Sequence, residues 1–164
     1  MAKAREIPSF AESHSFREAA ARTVGVRTEE VFAFREGVLD VSDIERVHDM
    51  RVATRRLRAA MEICAPCFPK KEHRRLLKEV KALADALGER RDRDVAIAAL
   101  EQAGEEMPAA DRPGLDYLIA QLREEQARAN EVVAAALTKV DSDDLRTRLL
   151  GLAAGAMPAK GVAS

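Results

Sequence analysis

The residues best suited to bind a ligand are His48, Arg51, Arg55 and Arg58, which follow one another at the spacing i, i+3, i+7 and i+10. On a helix, at about 100° per residue, these four side chains share one face, and apolar residues gather on the opposite face. Guanidinium groups bind phosphate oxygens in bidentate geometry, and a histidine adds positive charge below about pH 6.5. The pattern therefore predicts a basic helix face that binds a polyanion.

A second basic stripe follows at the same spacing and consists of Lys71, Arg74, Lys78 and Lys81. Like charges at i and i+4 on a helix repel each other by a few tenths of a kcal/mol per pair, so two such stripes are costly without an anionic partner. A stripe of this length spans about 15 Å, which is enough for several phosphates. We expect the ligand to be an extended phosphate chain, with inorganic polyphosphate as the best candidate.

The residues alone leave three other interpretations open. A basic helix surface can simply be solvated. Nucleic acid is a second possible partner, although the stripes lack aromatic residues for base stacking and contain no groove-reading motif. A phosphohydrolase or kinase would need carboxylates beside the phosphate, and Asp92 and Asp94 are the candidates that the sequence offers for this role. Because no P-loop or other phosphoryl-transfer motif is present, we expect binding without catalysis.

The charge of the chain is concentrated in its middle third. The formal net charge is −1, yet residues 46–93 carry fourteen basic and seven acidic residues. The flanking residues 1–45 and 94–164 have balances of −3 and −5. Charge asymmetry of this kind is evidence about partners, and it indicates an anionic ligand for the middle of the chain.

Composition and periodicity predict an all-α fold, an antiparallel bundle of about five to six helices. Only 4% of the residues are aromatic, and apolar residues recur at helical rather than strand spacing. A capping box formed by Ser42 and Glu45 should open the second helix, and Ser42 is therefore its expected N-cap. The expected helices cover about residues 12–39, 43–64, 69–87, 95–103 and 113–139, followed by a last helix that Ser142 caps.

The segment at residues 88–95 is predicted to be an elbow between two helices. Gly88 suits the residue just past a helix end. Asp92 could cap the next helix, or Asp92 and Asp94 could hold basic side chains in position. Arg91 is a further candidate for contact with the ligand.

Cys64 and Cys67 form a single CxxC, and His73 is the nearest additional metal-ligating side chain. Neither a second CxxC nor a βαβ pattern accompanies this pair, so we interpret the two cysteines as reduced thiols near a helix end and expect no metal or cofactor. The sequence has no apolar run of the roughly 20 residues that cross a membrane, and its first residues lack the apolar core of a signal peptide. The expected location is the cytoplasm, with no membrane partner.

Two runs of sequence resemble the signature of CHAD domains, the conserved-histidine α-helical domains. They are VHDMRVATRRLR at residues 47–58 and LGERRDRDV at residues 87–95. The resemblance implies a pair of related helical bundles around a basic channel, which binds polyphosphate without catalysis. By position, His48, Arg51, Arg55 and Arg58 match the first basic motif of the family. The intervening basic helix matches the stripe at residues 71–81, and the later motif matches Arg91, Asp92 and Asp94.

One departure from the family pattern shapes the expected domain organisation. No second motif of the His/Arg type follows Asp94. We therefore expect residues 10–155 to form a single domain that corresponds to the N-terminal half of a CHAD double bundle, with flexible termini at residues 1–9 and 156–164. Two copies are expected to pair as a homodimer and rebuild the channel. A chain with this activity is expected at polyphosphate granules.

Overall fold

The computed structural model describes residues 3–8 and 14–158, and within these ranges it contains five α-helices and no strand. The helices are α1 (Phe16–Ala33), α2 (Ile44–Ile63), α3 (Lys70–Glu105), α4 (Arg112–Ser142) and α5 (Leu145–Gly155), with a short 3₁₀ turn, Ala65–Cys67, between α2 and α3. Facing contacts show that α2 and α3 run antiparallel, since His73 bonds to the Met61 carbonyl and Arg91 to the Ile44 carbonyl. The prediction of an all-α helical bundle is confirmed.

The main core is an aliphatic cluster to which all five helices contribute. Its fully buried members include Val24, Val47, Met50, Leu76 and Leu149. A second, smaller cluster of Ile97, Leu115 and Ile119 joins the C-terminal part of α3 to the N-terminal part of α4. At about 1.5 Å per residue, α3 is about 54 Å long and α2 only about 30 Å, so the far end of the α3–α4 hairpin packs mainly on itself.

The predicted elbow at residues 88–95 is wrong, because α3 continues through it without a break. The separate helix expected over 95–103 is also part of α3. Gly88 is a helix-interior residue, a placement that costs about 1 kcal/mol relative to alanine. Packing outweighs this cost, since Leu87, Arg90 and Asp94 are all buried on the inner side of the same helix.

Arg90 and Asp94 form a buried ion pair one helical turn apart, with 3.0 Å between Arg90 Nε and Asp94 Oδ1. Both side chains are 0% exposed. Two residues of α4 complete the network: Gln126 donates to Asp94 at 2.6 Å, and Arg90 donates to the Asn130 side-chain oxygen at 2.5 Å. The Asn130 amide in turn donates to the Leu39 carbonyl at 3.0 Å. The network ties α3 to α4 and to the loop before α2.

The capping box predicted for α2 is also wrong. The N-cap is Asp43, and its side chain makes no capping hydrogen bond. The backbone N–H and the hydroxyl of Ser42 donate to Asp40 at 2.9 and 2.7 Å, and Glu45 pairs with Arg91 at 3.4 Å. Both expected capping side chains are therefore engaged elsewhere.

The structure instead contains a capping box at the start of α1, which the sequence interpretation missed. Ser15 Oγ accepts from the Glu18 backbone at 3.2 Å, and Glu18 accepts from the Ser15 backbone at 2.7 Å. The hydrogen bond from the Ser15 backbone is the main cause that lowers the pKa of Glu18. The expected start near Glu12 lies outside the described residues, and the helix ends at Ala33 rather than at residue 39.

The loop between α1 and α2 and the turn between α4 and α5 each contain one residue with a positive φ. Gly37 adopts a φ of 71° in the loop between α1 and α2, a conformation that favours glycine. Ser142 was expected to cap the last helix, but it is the final residue of α4, and its hydroxyl donates to the Lys139 carbonyl at 3.1 Å. The last helix begins at Leu145, after Asp144 in the left-handed conformation.

The flexibility expected for residues 1–9 and 156–164 stays a prediction, and both ranges lie partly outside the described residues. Within the described segment 3–8, the Arg5 backbone N–H donates to Glu30 of α1 at 3.2 Å, and Arg27 donates to the Arg5 carbonyl at 3.2 Å. None of the helices in the described ranges combines the length and apolar character needed to cross a membrane.

Candidate polyanion-binding site

The basic face of α2 exists because the opposite face of this helix is buried. Met50, Ala53 and Leu57 pack in the core with 0%, 0% and 1% of their surface exposed. Arg51, Arg55 and Arg58 lie on the other side of the helix, where they are half-buried or exposed. Three of the predicted binding residues, Arg51, Arg55 and Arg58, line one wall of a cavity of about 440 Å³ between α2 and α3.

The arginines of this wall are largely free of intramolecular partners. Neither Arg51 nor Arg55 makes a hydrogen bond or an ion pair to any residue that the structure describes. Arg58 donates from Nε to Glu62 at 3.2 Å, and 40% of its side chain is exposed. Guanidinium groups without partners are able to form bidentate bonds to an anion without first breaking an internal bond.

The second predicted stripe lies alongside the C-terminal half of α2, where His73 of α3 contacts the Met61 carbonyl. Because α2 and α3 are antiparallel, the N-terminal part of α3 lies beside the C-terminal end of α2. The two stripes meet at Glu62, which accepts from Arg58 and pairs with Lys81 at 3.0 Å. The hydrogen bond from Lys81, followed by that from Arg58, lowers the pKa of Glu62, so this carboxylate stays anionic at neutral pH.

The remaining members of the second stripe lie outside the α2–α3 cavity. Lys71 and Arg74 are exposed on the N-terminal half of α3. Lys78 lines a different cavity of about 370 Å³, together with Arg75 and with residues of α4 such as Lys139. The structure thus brings Arg51, Arg55 and Arg58 together and places Lys81 next to them, but it does not gather the whole second stripe around the same cavity.

His48 and Arg91 lie near the N-terminal end of α2, outside the lining of the cavity. Arg91 donates to the Ile44 carbonyl at 2.9 Å and pairs with Glu45 at 3.4 Å, and only 15% of its side chain is exposed. The half-buried His48 has Glu45 and Asp49 as neighbours, with their potential metal-ligating atoms within 4.8 Å of one another. A phosphate contact by His48 or Arg91 stays a prediction.

The opposite wall of the cavity is acidic, and the sequence interpretation missed this feature. It contains Asp85, Glu89 and Asp92 of α3, with Gly88 between them. Their spacing of i, i+4 and i+7 places them on one face of a helix. This signal was present in the sequence, but ending the helix at Gly88 separated Asp85 from the other two.

The two cysteines and His73 occupy positions in the core. Cys64 and Cys67 are buried free thiols at the end of α2 and in the 3₁₀ turn, and burial raises the pKa of Cys64. The His73 ring donates from Nε2 to the Met61 carbonyl at 2.8 Å, and it stacks on Phe68. These contacts account for the positions of the thiols and of the ring by packing alone.

The family model of the CHAD domain matches residues 22–164 of this chain, which include all of the residues that line the α2–α3 cavity. The chain belongs to the CHAD domain family. No curated protein matches the chain.

The two CHAD signature motifs have different structural roles in this chain. The first motif supplies the arginines of the α2 wall. The later motif is divided, because Arg90 and Asp94 are buried inside the α3–α4 interface, whereas Asp92 faces the cavity. Asp94 holds a basic side chain in position, as one of its two predicted roles required, and this side chain is Arg90.

Proposed function

We propose that this CHAD domain binds inorganic polyphosphate without chemically changing it, through the cavity between α2 and α3. The observation that carries the proposal is the wall of Arg51, Arg55 and Arg58, in which the first two have no partner among the described residues. Membership of a family that is known for polyphosphate binding supports polyphosphate as the polyanion.

The layout of the cations supports an extended ligand over a compact one. Along α2 the arginine wall covers about 10 Å, and the stripe from Lys71 to Lys81 on α3 covers about 15 Å. The two segments lie on adjacent antiparallel helices and are joined at Glu62, which pairs with both Arg58 and Lys81. A flexible phosphate chain is able to follow such a track, and lysines along the outer part act as point charges that do not demand a fixed geometry.

The carboxylates near the cavity support a role without catalysis. Asp94, one of the two candidates for a metal ligand or general base, is 1% exposed and is paired with Arg90. Asp92 does face the cavity, but it stands on the wall opposite the arginines. A phosphoryl-transfer site would need a carboxylate held beside the phosphate by a metal or a neighbouring group.

The proposal is tested by titrating the full chain with long-chain polyphosphate over a series of salt concentrations. We expect saturable binding that weakens steeply as salt rises, because neutralised phosphates release counterions. The same mixtures, incubated with magnesium, should release no orthophosphate. Absence of binding at low salt would refute the proposed function, and steady release of orthophosphate would refute the claim that the chain is not an enzyme.

We also propose that two copies of the chain pair when they bind polyphosphate, since a cavity open on one side leaves part of the ligand exposed. Light scattering of the chain, with and without polyphosphate short enough to occupy one site, should show a shift toward the mass of a dimer. A monomer at high concentration in both conditions would contradict this pairing. The titration that measures the affinity for polyphosphate is valid whether or not the chain forms a dimer.

A further inference from the structure

The two walls of the cavity are opposite in charge. On α2 the arginines stand at positions 51, 55 and 58, and on the antiparallel α3 the carboxylates stand at positions 92, 89 and 85. The walls come close at Gly88, where an added Cβ would lie 3.8 Å from Arg51 Nε. We call the set Asp85, Glu89 and Asp92 the acidic ledge.

These opposite charges face each other without pairing. No nitrogen of Arg51 or Arg55 lies within 4.0 Å of an oxygen of the acidic ledge, and in the described part of the chain the ledge carboxylates form no ion pair. Elsewhere on the same helices, charges do pair, as in Lys81 with Glu62 at 3.0 Å and Arg93 with Glu125 at 3.3 Å. The cavity thus keeps a positive and a negative wall apart.

From this arrangement we infer that the acidic ledge determines specificity, by excluding double-stranded nucleic acid from a site that accepts polyphosphate. The inference rests on the proposed function. The axes of packed helices are only about 8–10 Å apart, so the cavity between α2 and α3 is a narrow groove. A single phosphate chain has no bases or sugars, so it is able to lie against the arginine wall and stay away from the ledge.

A nucleic-acid duplex is too wide to do the same. Duplex DNA carries a negative charge for about every 1.7 Å of its axis, on two strands that flank its grooves. A duplex that reaches the arginine wall must also lie across α3, and its phosphates then approach the carboxylates of the ledge. Like charges brought together in this way suppress binding of the wrong partner.

The test is the triple variant Asp85→Asn, Glu89→Gln, Asp92→Asn. Its affinity for a short DNA duplex is compared with its affinity for long-chain polyphosphate at the same salt concentration. The matched control is Glu105→Gln, Asp116→Asn, Glu131→Gln, which removes the same charge from exposed positions on α3 and α4. Helical circular dichroism confirms that all variants are folded.

We expect the ledge variant to gain at least about tenfold in affinity for the duplex relative to the control, and clearly less for polyphosphate. An equal gain for both ligands, or a gain no larger than that of the control, would overturn the inference. The failure of the proposed function has a different signature, namely wild-type protein that does not bind polyphosphate. If that happens while the ledge variant still gains affinity for DNA, the ledge excludes nucleic acid from a site whose ligand is not polyphosphate.

Discussion

Replacing Arg51, Arg55 and Arg58 with glutamine is expected to weaken polyphosphate binding by at least about 100-fold. A charge-assisted hydrogen bond contributes about 1.5–3 kcal/mol. A loss of only about 1 kcal/mol of binding free energy for each of the three arginines already weakens the affinity by about 100-fold. The side chains line one wall of the cavity and none is buried in the core, so the fold should persist. The measurement is a titration with long-chain polyphosphate at physiological salt.

The control for this experiment removes the same charge from a distant surface. Arg112, Arg123 and Arg128 are exposed residues on α4, and their replacement with glutamine leaves the α2–α3 cavity unchanged. This control should lose no more than a few-fold in affinity, through the weaker overall field. Equal losses in the two triple variants would show that net charge, rather than the arginine wall, controls binding.

The second large effect concerns the stability of the protein. Asp94→Ala should lower the free energy of unfolding by about 3–5 kcal/mol, because it leaves the guanidinium of Arg90 buried without its charged partner. Both members of the pair are 0% exposed, and Gln126 also loses its acceptor. Urea denaturation followed by circular dichroism measures this change.

Two further variants separate a buried charge from a general effect of mutation. The double variant Arg90→Met, Asp94→Leu should regain part of the lost stability, since apolar residues often replace a buried ion pair at little cost. Breaking the exposed pair of Arg93 and Glu125 by Glu125→Ala should cost less than about 1 kcal/mol. A loss of similar size in Asp94→Ala and Glu125→Ala would contradict the role of the buried pair.

The parts of the fold that the sequence predicts well are those with long apolar periodicity. The helical class, the basic face of α2 and the proximity of Arg51, Arg55 and Arg58 all follow from one repeating pattern of buried residues such as Met50 and Leu57. In α2 the local pattern and the tertiary packing agree, so a helical wheel is sufficient to predict which face of the helix is basic.

The errors arise where tertiary contacts override local signals. Gly88 has the composition of a helix end, but the Arg90–Asp94 pair and its partners on α4 keep the helix continuous. Ser42 and Glu45 have the spacing of a capping box, yet Asp40 and Arg91 engage their side chains. Sequence spacing does not reveal these long-range partners.

The mistaken helix end also concealed half of the candidate site. With α3 divided at Gly88, a wheel assigns Lys71 and Lys78 to the same surface as the arginines of α2. The cavity instead has residues 84–92 opposite those arginines, while the lysine stripe runs beside the C-terminal half of α2. Asp85, Glu89 and Asp92 share one helix face only because α3 continues through Gly88.

The most direct test of the polyphosphate site is a crystal structure of the chain with tripolyphosphate bound. We expect phosphate oxygens within hydrogen-bond distance, about 2.7–2.9 Å, of the guanidinium nitrogens of Arg51, Arg55 and Arg58. We also expect the ligand to lie closer to α2 than to the carboxylates of Asp85, Glu89 and Asp92. Tripolyphosphate bound instead in the cavity beside Lys78 and Lys139, with the arginine wall empty, would contradict it.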